Sequence, residues 1–273
     1  MSIKYAVMTF MYGRWVASDA GSHEELIRIV AEAGAEGIEA FANHFFGNDE
    51  LPRLYRREMN GAGLTMPVMD LIANLASPEK AQRSEAYEAM RKGIDVCDGF
   101  DTEIVHLAGC RLADGQDPGD GRKRVMEGLM DFVDDVDRRG MVLAFEDFPS
   151  CAALMVGGED CLEILTQSDE RIKFVFDTGN FELAGEHAED NFEKLIEHTC
   201  HFHFKDFRDD GDPRSLHGAH FGQGRIRNQE IAQAIVRNGY SGWVALESYL
   251  QGENGPRETI AQELAVLKSM FDA

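Results

Sequence analysis

The chain is short of cations, of paired cysteines and of long apolar runs, and each shortage removes a class of function. Its 273 residues carry 27 Lys and Arg against 49 Asp and Glu, a formal charge of −22. Nucleic-acid binding draws most of its non-specific affinity from cations that neutralise phosphates, so no DNA or RNA partner is expected. Five cysteines, an odd number without CxxC spacing, make no disulfide framework and fit a reducing cytosol. No apolar stretch is long enough to cross a bilayer. The opening MSIKYAVMTF lacks the charged start, apolar run and cleavage site of a secretory signal. A cytoplasmic location without membrane contact is expected. Phosphate and nucleophile motifs are also missing: the first strand is followed by MYGRWVASDAG rather than GxGxxG, and neither a Walker-type loop nor a GxSxG turn occurs.

What remains is an alternation of short apolar runs with longer amphipathic stretches. The strand candidates are YAVMTF (5–10), EGIEAF (36–41), TMPVMDL (65–71), EIVHLA (103–108), MVLAFE (141–146), IKFVFD (172–177), HFHFKD (201–206) and GWVALE (242–247). Helices are expected between them, near 50–62, 77–97, 120–138, 159–167, 189–198, 228–238 and 256–271. One more opens on a capping box of Ser22 and Glu25. Ser77-Pro78 reads as an N-cap with proline at the first helical position, placing Glu79 in the first turn. No Pro/Ser/Gly-rich linker divides the chain. The expectation is an α/β protein, a (β/α)8 TIM barrel in one domain spanning 1–273. An open two-layer sheet has the same periodicity.

Four late strands share one polarity pattern. Phe145, the pair Phe174 and Phe176, the pair Phe202 and Phe204, and the pair Val244 and Leu246 put large apolar groups on one face. The opposite face ends in Glu146, Asp177, His203 and Glu247. Any one of these alone reads as a rim residue in a salt bridge, or as a buried, satisfied histidine. Four strand ends of the same parity point to convergence at the C-terminal mouth, where barrel active sites lie. Two carboxylates about 4 Å apart repel by about 4 kcal/mol at an effective dielectric near 20. Three pointed together need protons or a cation. Three oxygen donors and one imidazole suit a single divalent ion, Mn2+ first, with Mg2+, Co2+ or Zn2+ as alternatives.

Lys205, one step beyond His203 on its face, overhangs the mouth. His44 after the second strand, His106 in the fourth and Arg225 in GQGRI are further rim candidates for substrate contact. For each, a loop or supporting role explains the residue equally well. Glu39 reads as a group behind the ligands, and His201 as structural. Cys110 and Cys151 read as packing residues. The glycine-containing, charged stretch 207–226 suggests a movable lid.

Taken together, GAEGIEAF, VLAFED, FVFDTGNF, HFHFKDF and FGQGRI…GYSGWVALES resemble the sugar isomerase/epimerase branch of the xylose isomerase-like barrel superfamily, over nearly the whole chain. The resemblance implies a divalent metal held by Glu146, Asp177, His203 and Glu247, with Glu146 and Glu247 also the catalytic acid/base pair. It implies proton abstraction beside a metal-held carbonyl, giving an enediolate that is reprotonated on the other face or on the neighbouring carbon. Asn180 stands where ketose epimerases of this group have a histidine, and is assigned to substrate binding. Arg208 lies near, though not at, the place of their substrate-binding arginine. The substrate implied is a small keto-sugar or cyclitol. Dehydration of an inosose or dehydroshikimate-like compound is the alternative on the same ligands. An apurinic endonuclease needs more metal ligands and a basic groove, and a non-catalytic sugar-binding barrel would not need all four ligands. Homo-oligomerisation is left open.

Overall fold

A computed structural model of the chain describes residues 2–148, 154–155, 157–209, 216–248 and 255–272. In chain order its elements are β1 (Lys4–Met8), α1 (Gly13–Ala17), α2 (His23–Glu32), β2 (Gly37–Phe41), α3 (Glu50–Ala62), β3 (Val68–Leu71), α4 (Lys80–Asp98) and β4 (Ile104–Leu107). There follow α5 (Pro118–Arg138), β5 (Val142–Glu146), α6 (Gly158–Gln167), β6 (Lys173–Asp177), α7 (Asn180–Leu183), α8 (Ala188–Leu195) and β7 (Thr199–Phe204). The chain then forms β8 (Phe207–Asp209), β9 (Leu216–Gly218), α9 (Asn228–Arg237), β10 (Trp243–Leu246) and α10 (Pro256–Phe271).

Eight strands close into a parallel barrel in the order β1-β10-β7-β6-β5-β4-β3-β2, as the repeated strand–helix pattern predicts; β8 and β9 pair separately and antiparallel. No helix among the described residues is long and apolar enough to cross a membrane.

The chain divides into two compact units. One comprises 1–40, 47–67 and 201–273 and contains the ladders of β1 with β2, β1 with β10, and β10 with β7. The other comprises 41–46 and 68–200 and contains the consecutive ladders β3–β4, β4–β5 and β5–β6.

The two-residue alternation decides what each strand face does. In the second unit Phe176 packs on Phe181 of α7 and Phe192 of α8, with ring centroids 5.0 and 5.9 Å away. In the first, Phe204 meets Phe271 of α10 at 5.7 Å. Fully burying such a ring contributes about 1.5–3 kcal/mol. The inner face of the second unit begins with the buried cluster Val68, Ile104, Ala144 and Val175. Two residues further along each of these strands come Asp70, His106, Glu146 and Asp177. An apolar layer therefore carries an ionisable one. In the first unit the corresponding apolar layer is Ala6, Trp243 and Ala245.

The capping box forms: Ser22 Oγ accepts from Glu25 N–H at 3.2 Å, and α2 buries Leu26, Ile27, Ile29 and Val30. The start expected for the fourth helix needs correction. Glu79, not Ser77, is the N-cap of α4, which begins at Lys80. Ser77 Oγ is spent on the preceding turn, accepting from Glu79 N–H at 3.1 Å and donating to Gln82 at 2.7 Å. Cys110 is buried and donates to Ala73 O, whereas Cys151 lies outside the described residues.

The stretch read as a lid has internal structure. β8 and β9 pair in it, and residues 219–226 wrap a buried carboxylate, Asp206. Its Oδ1 accepts from the backbone N–H groups of Phe207 and Ile226, and its Oδ2 from those of Gly222 and Gly224, at 2.8–3.2 Å.

Candidate active site

Two strand ends in the second unit supply carboxylates. Glu146 is the last residue of β5, 4% exposed, and Asp177 the last of β6, fully buried. Asp177 is oriented from both sides. Its Oδ1 accepts from Gly179 N–H and Asn180 N–H at 2.7 and 3.0 Å, while its own N–H donates to Asp147 Oδ1 at 3.1 Å. These bonds tie the carboxylate to the start of α7 and to the residue after Glu146. Asn180 Nδ2 donates to Glu146 Oε2 at 3.4 Å, so this amide lies on the carboxylate. His106 reaches the same Oε2 at 3.9 Å with Nε2, and its Nδ1 is 2.6 Å from Asp70 Oδ1. Burial, the charge of Asp177 and that of Glu146 together push the Asp147 carboxyl well above its ordinary range.

The first unit has buried imidazoles and carboxylates of its own. His203 Nε2 lies 2.9 Å from Glu39 Oε1, and His201 Nε2 lies 3.2 Å from Glu39 Oε2. His201 Nδ1 also contacts Trp243 O at 2.9 Å. Burial raises the Glu39 carboxyl, but the His203 and His201 charges and their hydrogen bonds outweigh it and hold it well below the usual range. An ionised Glu39 accepts from the Nε2–H of His203, which leaves Nδ1 as the ring nitrogen turned away from Glu39. That Nδ1 lies 4.0 Å from Glu247 Oε2, and Lys205 Nζ lies 2.6 Å from the same oxygen. The register explains the pair: Ala245 stands opposite His203, so two residues on Glu247 stands beside Lys205.

The other sequence candidates lie in different surroundings. His44 is exposed, its ring 5.7 Å from that of Phe41. Arg208 is exposed in β8, opposite His217 of β9. Arg225 is bound to Asp209 at 2.6 Å. Asp70 and Asp147 escaped the sequence reading. Asp70 had a usable signal, because in VMDL it shares the parity of Val68 just as Glu146 shares that of Ala144.

Buried carboxylates and imidazoles of the kind that can hold a metal ion are thus present in each unit. Their chemistry fits a divalent cation, since carboxylate oxygens and imidazole nitrogens are hard to borderline donors and no thiolate is among them.

Residues 27–270 match the family model described as a xylose isomerase-like TIM barrel. An L-ribulose-5-phosphate 3-epimerase of Escherichia coli (strain K12) is 23% identical over 208 residues, covering 73% of this chain and 70% of the enzyme. Among solved structures, a D-tagatose 3-epimerase-like protein superposes with a TM-score of 0.81 at 18% identity, covering 98% of this chain and 97% of that one. The IOLI protein, whose structure holds a zinc atom, superposes with a TM-score of 0.82 at 14% identity, covering 98% of both chains. With its family model matched over most of its length, the chain belongs to the xylose isomerase-like TIM barrel family.

Proposed function

We propose that the protein is a divalent-metal-dependent isomerase or epimerase of a small keto-sugar or related polyhydroxy carbonyl compound. Glu146, Asp177, His203 and Glu247 are the residues assigned to hold the ion, with Mn2+ the first choice. The observation that carries this reading is the placement of buried carboxylates and an imidazole at strand ends, each oriented by a second polar group. The sugar epimerases among the relatives agree with it. When bound, the cation would polarise the substrate carbonyl and acidify the adjacent C–H.

Glu146 takes the proton beside the carbonyl. Glu247 Oε2 has the ammonium of Lys205 at 2.6 Å, and Glu146 Oε2 has the amide of Asn180 at 3.4 Å and His106 Nε2 at 3.9 Å. Glu247 serves the return of a proton, which the Lys205 ammonium on its Oε2 supplies. Return to the opposite face gives an epimer, and return to the neighbouring carbon gives aldose–ketose exchange. Asn180, His106, His44, Lys205, Arg208 and Arg225 remain the assigned substrate-binding residues, and an uncharged sugar or cyclitol suits the acidic chain best. Positioned acid/base groups supply about 10²–10⁴-fold in rate.

One observation favours a second reading. A buried ammonium beside the second glutamate is also suited to protonating a departing hydroxyl, which would make the protein a dehydratase of an inosose or dehydroshikimate-like compound. NMR of ketoses and inososes in D2O with Mn2+ tests both. Deuterium uptake without loss of water is expected. Loss of water would select the dehydratase, and neither change in any compound would refute both.

A further inference from the structure

The end of β10 is tied down by a carboxylate that the proposed chemistry does not use. Glu263, midway along α10, is 3% exposed, and both of its oxygens are engaged. Ser248 Oγ donates to Oε2, and His220 Nδ1 lies 2.8 Å from Oε1. Ser248 is itself buried and directly follows Glu247. On the other flank, Glu247 N–H donates to Phe204 O at 2.9 Å. Glu247 is therefore held by the sheet on one side and, through Ser248, by α10 on the other.

The second oxygen of Glu263 reaches a different element. His220 belongs to the 219–226 segment that Asp206 holds from within. That segment has no slack: a Cβ on Gly224 would lie 2.1 Å from Asp206 Oδ1 and 2.4 Å from Phe207 O. Glu263 thus joins the residue after Glu247 to the loop that Asp206 holds. A buried carboxylate is an expensive way to fill space, and an apolar side chain would pack there at lower cost. Its two contacts are what distinguish it from packing.

We propose that Glu263 is a positioning residue for Glu247. It fixes Ser248, and with it the direction in which the Glu247 side chain leaves the strand. Through His220 it braces that point against the loop built on Asp206. The inference rests on the reading of Glu247 as a metal and proton-handling group. Displacements of less than 1 Å at such a group are enough to reduce rate and affinity.

The test measures Mn2+ affinity by electron paramagnetic resonance, kcat and KM for deuterium exchange, and melting temperature. The proteins are wild type, Glu263→Gln, Glu263→Ala, Ser248→Ala and the Glu263→Ala/Ser248→Ala double variant. Each alanine variant is expected to weaken Mn2+ binding and lower kcat by about tenfold, as for other groups that orient metal ligands. The double variant should be no worse than Glu263→Ala alone, because that substitution already removes the Ser248 link along with the one to His220. Glu263→Gln keeps an acceptor for the Ser248 hydroxyl and should recover most of the loss. If Glu263→Ala does not fold, Ser248→Ala alone carries the comparison. Lower melting temperatures with Mn2+ affinity and kcat within about twofold of wild type would overturn the proposal and leave Glu263 a stabilising group only. A wild-type protein that neither binds Mn2+ nor exchanges protons would instead refute the role of Glu247, and the inference with it.

Discussion

Lys205 Nζ lies 2.6 Å from Glu247 Oε2, with both side chains buried. The lysine that closes the ionisable face of β7 is thus spent on the carboxylate of the neighbouring strand. Removing one partner of a buried ion pair costs about 3–5 kcal/mol because the other charge is left uncompensated. Lys205→Met should lower the melting temperature of the metal-free protein. Saturating Mn2+ should then raise it by more than in wild type, since the ion supplies the missing positive charge. Equal Mn2+ shifts in the two proteins would separate Glu247 from the metal.

Glu39 touches both histidines of β7, at 2.9 and 3.2 Å. Glu39→Gln replaces an acceptor of two N–H groups by an amide that can satisfy one. Groups of this kind typically change metal affinity by about 10–100-fold. Calorimetric Mn2+ titration of the variant should show a weakening of that order, and an unchanged affinity would make Glu39 a packing residue.

Glu146→Gln keeps an oxygen donor but loses the base. Deuterium exchange should fall by about 10²–10⁴-fold while the far-ultraviolet circular dichroism stays the same. A variant that retains a tenth or more of wild-type exchange would move proton abstraction to another group.

Phe176 is fully buried among Phe174, Phe181 and Phe192. Phe176→Ala should cost about 3–5 kcal/mol in denaturant unfolding. A loss below about 1 kcal/mol would mean that the outer face of β6 collapses around the cavity.

The barrel was legible because its strands alternate so regularly. In VLAFE, KFVFD and TCHFHF the aromatic residues mark the helix-facing side, and the remaining parity leads to Glu146, Asp177 and His203. Asp70 was harder to see, because VMDL has no aromatic to mark a face. Asp206 and Glu263 had no periodic signal at all. Asp206 binds backbone N–H groups as far as 20 residues along the chain, and Glu263 reaches a hydroxyl 15 residues before it. Such bonds depend on tertiary placement rather than local pattern. The same limit applies to Ser77, whose hydroxyl suits either an N-cap or the turn before one.

Metal content measured by plasma mass spectrometry on protein equilibrated with Mn2+ tests the shared ion directly. One ion per chain is expected in wild type, and well under one in Asp177→Asn and His203→Ala at the same free Mn2+. Wild type and both variants carrying equal metal, or none, would contradict it.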